Sequence, residues 1–286
     1  MYQLATRFSR NVRQYDKGAP LTDMEIEPIA PSIFAQTAHD SRSDRYTYIP
    51  TIDILNGLRQ HGFQPFMCAQ TRVRDEAHRD HTKHMIRLRH AEHIGTREAN
   101  EIILVNSHNG SSSYQMLAGV FRFACANGMV CGTTHQDIRI PHKGDVMDQV
   151  LEGAHVILEG FDLITERREG MQSVILQLPE QQALARAALS LRYDPAKQTA
   201  PIEAERLLRA RRTDDQGADL WSTFNRIQEN MTKGGQQGAR VNGRLRSTRA
   251  ITGIDQNIAI NRGLWTLAEE MAKLHGVAMP TMMEKP

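Results

Sequence analysis

The chain has 286 residues, an apolar fraction of 40 % and a formal net charge of +2, with a pI near 8.5. That length suits one large domain or two small ones, and the weak positive balance excludes an acidic nucleic-acid mimic while leaving local charge clusters to recognise any anionic partner. Cys68, Cys125 and Cys131 are odd in number, and no apolar run near the start reads as a signal-peptide core or is long enough to span a bilayer, so a reduced, cytoplasmic protein without membrane contact is expected.

Residues 1–45 are polar and irregular, with Pro20, Pro28 and Pro31 separating short apolar clusters, and read as an arm. Tyr46 to Pro50 has the aromatic and β-branched content of a short strand. Thr51 is placed to cap a helix from Ile52 to His61, which Gly62 ends. Phe66 to Arg74 and Lys83 to His90 alternate as two strands joined by a polar hairpin loop. Glu101 to Ser107 is apolar on both faces and reads as a central strand. Asn106-Ser107-His108-Asn109-Gly110 follows as turn chemistry, and the spacing of Leu117, Ala118, Phe121, Ala124 and Cys125 predicts a helix from Tyr114. The predicted core, residues 46–140, is therefore β-α-β-β-β-α, with a further short strand at Ile138–Ile140, and the fold class is α+β.

Residues 141–286 read as mostly helical. One long amphipathic helix is expected over Asp145 to Arg168, followed by helices at Glu180–Leu191, Pro201–Arg212, Leu220–Met231 and Gln256–Leu274. Residues 233–249 are rich in Gly and Gln and carry Lys233, Arg240, Arg244, Arg246 and Arg249 without an acidic residue, so a flexible basic segment is expected there. No internal repeat is visible.

Catalytic arrangements are missing by type. There is no phosphate-binding loop ending in Lys-Ser/Thr, and Gly234-Gly235-Gln236-Gln237-Gly238 does not follow a strand. Asp53, Asp214, Asp215 and Asp219 read as turn and cap residues, the alternative being metal carboxylates of a nuclease, and Trp221 reads as core, the alternative being base stacking. His78, His81, His84, His90 and His93 crowd one hairpin, with Cys125, Cys131 and His135 downstream, but ligand pairs at tight zinc spacing are absent. No catalytic residue, metal or cofactor is assigned.

Basic residues carry the functional expectation. Arg72 and Arg74 share one face of the first hairpin strand, and Lys83, Arg87 and Arg89 one face of the next. If the faces coincide the sheet presents a cationic stripe, because each neutralised phosphate of a nucleic acid releases a counterion. The alternative is a solvated face whose arginines pair with Asp75, Glu76 or Glu92. Arg122 and the five cations of residues 233–249 complete the candidate DNA-binding set.

Asn106 to Gly110, Phe121-Arg122-Phe123-Ala124-Cys125-Ala126-Asn127-Gly128 and Leu220-Trp221-Ser222-Thr223-Phe224-Asn225-Arg226-Ile227-Gln228-Glu229-Asn230 resemble an uncharacterised family of plasmid, prophage and phage-like proteins. Tyr48 to Asn56, Gly62 to Phe66, the three strands and a helix ending in Asn127-Gly128 are also similar to the core of single-strand annealing recombinases, the class of the eukaryotic annealing mediator and of phage proteins of the Redβ, RecT and Erf kind. That resemblance implies ATP-independent binding and annealing of single-stranded DNA by a ring or filament, in recombination or maintenance of a mobile element, with a host single-strand binding protein as a further partner. It also implies a DNA-contacting cation at the start of the first helix, where this chain has Ile52-Asp53. Two other classes stay open: a metal-dependent nucleic-acid enzyme using the His78–His93 hairpin, and a module that antagonises host defence by gripping a protein partner.

Overall fold

A computed structural model describes residues 13–14, 19–40, 48–71, 76–91, 98–110, 112–122, 127–131, 138–141, 145–241 and 244–278. The fold is α+β, and the chain divides into two compact units, one of residues 1–130 and 134–159, the other of 131–133 and 160–286.

The first unit is built on an antiparallel meander. Strands β1 (Arg13–Gln14), β2 (Phe63–Gln70), β3 (His84–His90), β4 (Glu98–Asn106), β5 (Tyr114–Arg122) and β6 (Asn127–Val130) lie in that order, and β7 (Ile138–Ile140) pairs with the other end of β5. A short helix α1 (Asp23–Ile26) precedes β2, and α2 (Thr51–Gln60) leads into it. One sheet face carries Ile86, Leu104 and Met116 under α2 and α3 (Val146–Glu159). Gly57 admits Met147 and Leu151 of α3, and the Met116 sulfur lies 3.2 Å from where a Cβ on Gly153 would stand. Ile54, Leu55 and Leu58 of α2 are fully buried there. Gly62 ends α2 with φ +84°, and a Cβ would meet the His90 ring at 2.6 Å, so glycine is required twice over.

The predicted helix from Tyr114 is a strand. A short run buried on both faces has no periodicity that separates helix from strand, and β4 needs a partner on this edge. No helix follows within the turn: Ser107 Oγ accepts the Ser112 N–H at 2.7 Å and closes the hairpin between β4 and β5. Residues 48–50 belong to no strand, and Tyr46 and Thr47 fall outside the described residues. Pro50, not Thr51, is the N-cap of α2, because the Thr51 hydroxyl is used inside the core.

The second unit is helical, with α4 (Phe161–Ser173), α5 (Leu178–Arg192), α6 (Leu220–Lys233) and α7 (Ile254–Leu274). The long helix expected from Asp145 to Arg168 is broken at Gly160 into α3 and α4. Trp221 stacks on Phe224 at 5.4 Å, and Trp265 meets both edge-on, which places all three in the core. Buried polar contacts fix the helices: Arg167 and the Trp265 indole both donate to Glu269 Oε1 at 2.7 Å. Gln228 donates to Asn261 Oδ1, also at 2.7 Å. Residues 233–249 are not a loop but a hairpin, β8 (Gln237–Val241) and β9 (Arg244–Ser247), tied to the end of α6 by Gly235 N–H to Thr248 O and Ile251 N–H to Thr232 O. Gly234 and Gly238 serve close packing, since a Cβ on Gly234 would lie 2.4 Å from the Arg249 carbonyl carbon and one on Gly238 1.7 Å from the Pro201 carbonyl oxygen.

Candidate functional site

The sheet does not present its arginines to solvent. Arg87 and Arg89 lie on one face of β3, opposite Ile103 and Glu101 of β4, and are 3 % and 4 % exposed. Glu101, fully buried, accepts from Arg87 Nε at 2.5 Å and from Arg89 Nε at 2.7 Å. Arg87 Nη2 donates to Met129 O, and the Arg89 guanidinium lies 4.5 Å from the centre of the Phe66 ring. Burial lowers the Arg89 pKa against the opposing pull of Glu101. The pairing partner is thus a residue of the central strand, and neither Arg87 nor Arg89 forms part of an exposed stripe. Lys83 is half-buried just before β3. Arg72 and Arg74 lie outside the described residues, as do the side chains of Arg122, Arg240 and Arg244.

Of the hairpin histidines, His84 belongs to a buried hydrogen-bond chain between α2 and the sheet, which it shares with His108. Thr51 Oγ1 stands 2.9 Å from His84 Nε2, 3.2 Å from His108 Nε2 and 3.1 Å from Asn106 Nδ2. His84 Nδ1 faces Ser32 Oγ at 2.7 Å and the Thr82 carbonyl at 3.2 Å. A carbonyl oxygen only accepts, so the His84 proton is assigned to Nδ1. Thr51 then donates to His84 Nε2 and accepts from His108 and Asn106, while Ser32 donates to Gln70 Oε1 at 2.8 Å. His81 Nε2 meets the Thr37 carbonyl at 3.1 Å. Among the described residues no His, Cys, Asp and Glu side chains gather as a metal-ligand set, and His78 (side chain), His93, Cys125 and His135 fall outside them.

The charge that does face a cavity is in the second unit. A pocket of about 620 Å³ is lined by Arg206, Arg209, Ala210, Arg211, Arg212, Lys233, Gly235, Gln236 and Gln237. The segment predicted as a helix over Pro201–Arg212 is a 3₁₀ turn, Ala204–Leu208, followed by extended chain. Asn230 of α6 is the reason: its Nδ2 donates to the carbonyls of Leu207 and Arg209 at 2.8 and 2.9 Å, groups that an α-helix would have used internally. Asn230 Oδ1 accepts from Arg211 Nε and from Gln236 Nε2, both at 2.6 Å, so one buried amide ties together all three walls.

Within this pocket the cations differ in how much charge is spent. Arg211 also donates to Gly234 O at 2.7 Å, and partial burial, together with the like charge of Arg212, lowers its pKa against the pull of Glu229. Arg212 is held by Glu229 at 2.5 Å and lies 3.4 Å from Asp215, and Lys233 lies 3.8 Å from Glu229. Arg206 and Arg209 are exposed and have no side-chain partner among the described residues. Five cations line the cavity, and of these Arg212 pairs with Glu229 and Asp215 and Lys233 with Glu229. Among the described members of the sequence-derived set, Lys233 belongs to the cavity lining; Arg246 and Arg249 are exposed on and just after β9. Arg206-Leu207-Leu208-Arg209-Ala210-Arg211-Arg212 is the signal that sequence reasoning missed, because a helix would have spread those arginines around its circumference.

A family profile described as "Domain of unknown function (DUF932)" matches residues 38–265, which takes in the sheet strands from β2 to β7 and the pocket. The chain is 50 % identical over 272 residues to the UPF0380 protein YafZ of Escherichia coli (strain K12), and 49 % identical over 272 residues to the UPF0380 protein YfjQ of the same strain. Each alignment covers 95 % of this chain and 98 % of the relative. No solved structure matches it.

Proposed function

The chain belongs to the DUF932 family, and for this member we propose binding of single-stranded nucleic acid by its phosphates, without nucleotide hydrolysis. The supporting observation is the set of five cations lining the Arg206–Gln237 pocket, with Arg206 and Arg209 exposed and without side-chain partners among the described residues. Arginine suits this task because its planar fork pairs with two phosphate oxygens at once. Arg246 and Arg249 add cations to the same unit. Protein bound to phosphates leaves base edges free, and annealing of complementary strands by an oligomer, in recombination or maintenance of a mobile element, is the fuller form of the proposal.

The test is fluorescence anisotropy of a labelled single-stranded oligonucleotide at low salt, followed by strand annealing without ATP. Saturable binding and faster annealing are expected. Binding without faster annealing removes the annealing step, and no binding at low salt removes the whole proposal.

A further inference from the structure

We infer that the pocket takes a terminal phosphate, a phosphomonoester at the end of a nucleic-acid strand, in preference to internal phosphodiesters. This rests on the nucleic-acid proposal above and specifies which phosphate of the strand the site selects.

The cations surround a cavity rather than follow a stripe. Arg206, Arg209, Arg211 and Arg212 come from one segment, Lys233 and Gln236 from the end of α6 and the start of the hairpin, and Asn230 holds the walls together from behind. A strand bound along its backbone passes a row of single charges, one per nucleotide, and is served by cations laid out in a line. Here five cations line one volume. An internal phosphodiester brings a single negative charge. A phosphomonoester brings about 1.5 to 2 at pH 7 and three strong acceptor oxygens. Its extra oxygen and extra charge match the arrangement here, where Arg211 is oriented by Asn230 and Gly234, and Arg206 and Arg209 are unspent. The 620 Å³ volume is of the size that holds a small organic ligand, so the last nucleotide enters with its phosphate.

The experiment compares, on the full chain, one single-stranded oligonucleotide carrying a 5′-hydroxyl, a 5′-phosphate or a 3′-phosphate, with a fluorophore at the opposite end. A phosphorylated end is expected to bind about tenfold tighter, the effect of one added charge-assisted hydrogen bond. Comparison of the two phosphorylated forms tells which end is taken. In the wild-type protein the advantage should shrink as pH falls through about 6, where the phosphomonoester loses its second charge. Arg206→Ala with Arg209→Ala should abolish it. Equal, salt-sensitive affinity for all three forms overturns the end preference and leaves phosphate-backbone binding standing, whereas no binding of any form overturns both.

Discussion

The side-chain oxygen of Asn230 accepts from Arg211 Nε at 2.6 Å while its nitrogen holds the carbonyl of Arg209 at 2.9 Å. One buried amide on α6 thus shapes the backbone of the arginine segment and aims one of its guanidinium groups. Asn230→Ala would leave two carbonyls and an arginine without that partner. A loss of about 2–4 kcal/mol is expected, at roughly 1–3 kcal/mol for each buried group left unsatisfied with partial recovery by solvent. Urea denaturation measures it, and oligonucleotide affinity should fall in parallel.

Glu101 neutralises both Arg87 and Arg89 inside the sheet. Glu101→Gln strands two buried guanidinium groups, and the expected cost is about 3–5 kcal/mol. Asp53→Ala, on the exposed side of α2, should stay within about 0.5 kcal/mol of wild type. Denaturation midpoints of the two variants provide the comparison.

Gly119 sits where Arg87 crosses β5 to reach Met129. A Cβ there would meet Ile103 Cδ1 at 2.7 Å and Met129 O at 2.8 Å. Gly119→Ala should destabilise the chain by about 1–3 kcal/mol through overpacking, read as a lowered melting temperature.

Thr51→Val keeps the shape of α2 and removes the hydroxyl shared by His84, His108 and Asn106. With these polar groups losing a common partner, the loss is expected to be about 1–3 kcal/mol. Thr51→Ser, which keeps the hydroxyl, should recover most of it.

Much of this fold is legible from sequence. The α2 stripe, the hairpin of β2 and β3, the β4 run and helices α5, α6 and α7 follow from periodicity, turn residues and length. The strand Tyr114–Arg122 is not, because Tyr114, Met116, Leu117 and Val120 are buried from both faces, and a doubly buried strand and a buried helix share one apolar pattern. The site is harder to read for a different reason. Whether an arginine faces solvent depends on partners distant in sequence: Glu101 lies 14 residues from Arg87, and Asn230 lies 19 from Arg211. Local charge counting favours residues 233–249 and the sheet, while the cavity is built mainly by residues 206–212, whose conformation is set by a side chain on α6.

The most direct measurement is the salt dependence of single-stranded oligonucleotide affinity for wild type and for the Arg206→Ala, Arg209→Ala double variant. Both residues are exposed and without side-chain partners among the described residues, so stability should change by less than about 0.5 kcal/mol per substitution. Because the double variant removes two of the cations that neutralise strand phosphate, affinity should fall and the slope of log K against log salt should become shallower, by about 0.7 for each phosphate charge left without its cation. An unchanged affinity and slope in a folded double variant would contradict the assignment of the phosphate site to this pocket.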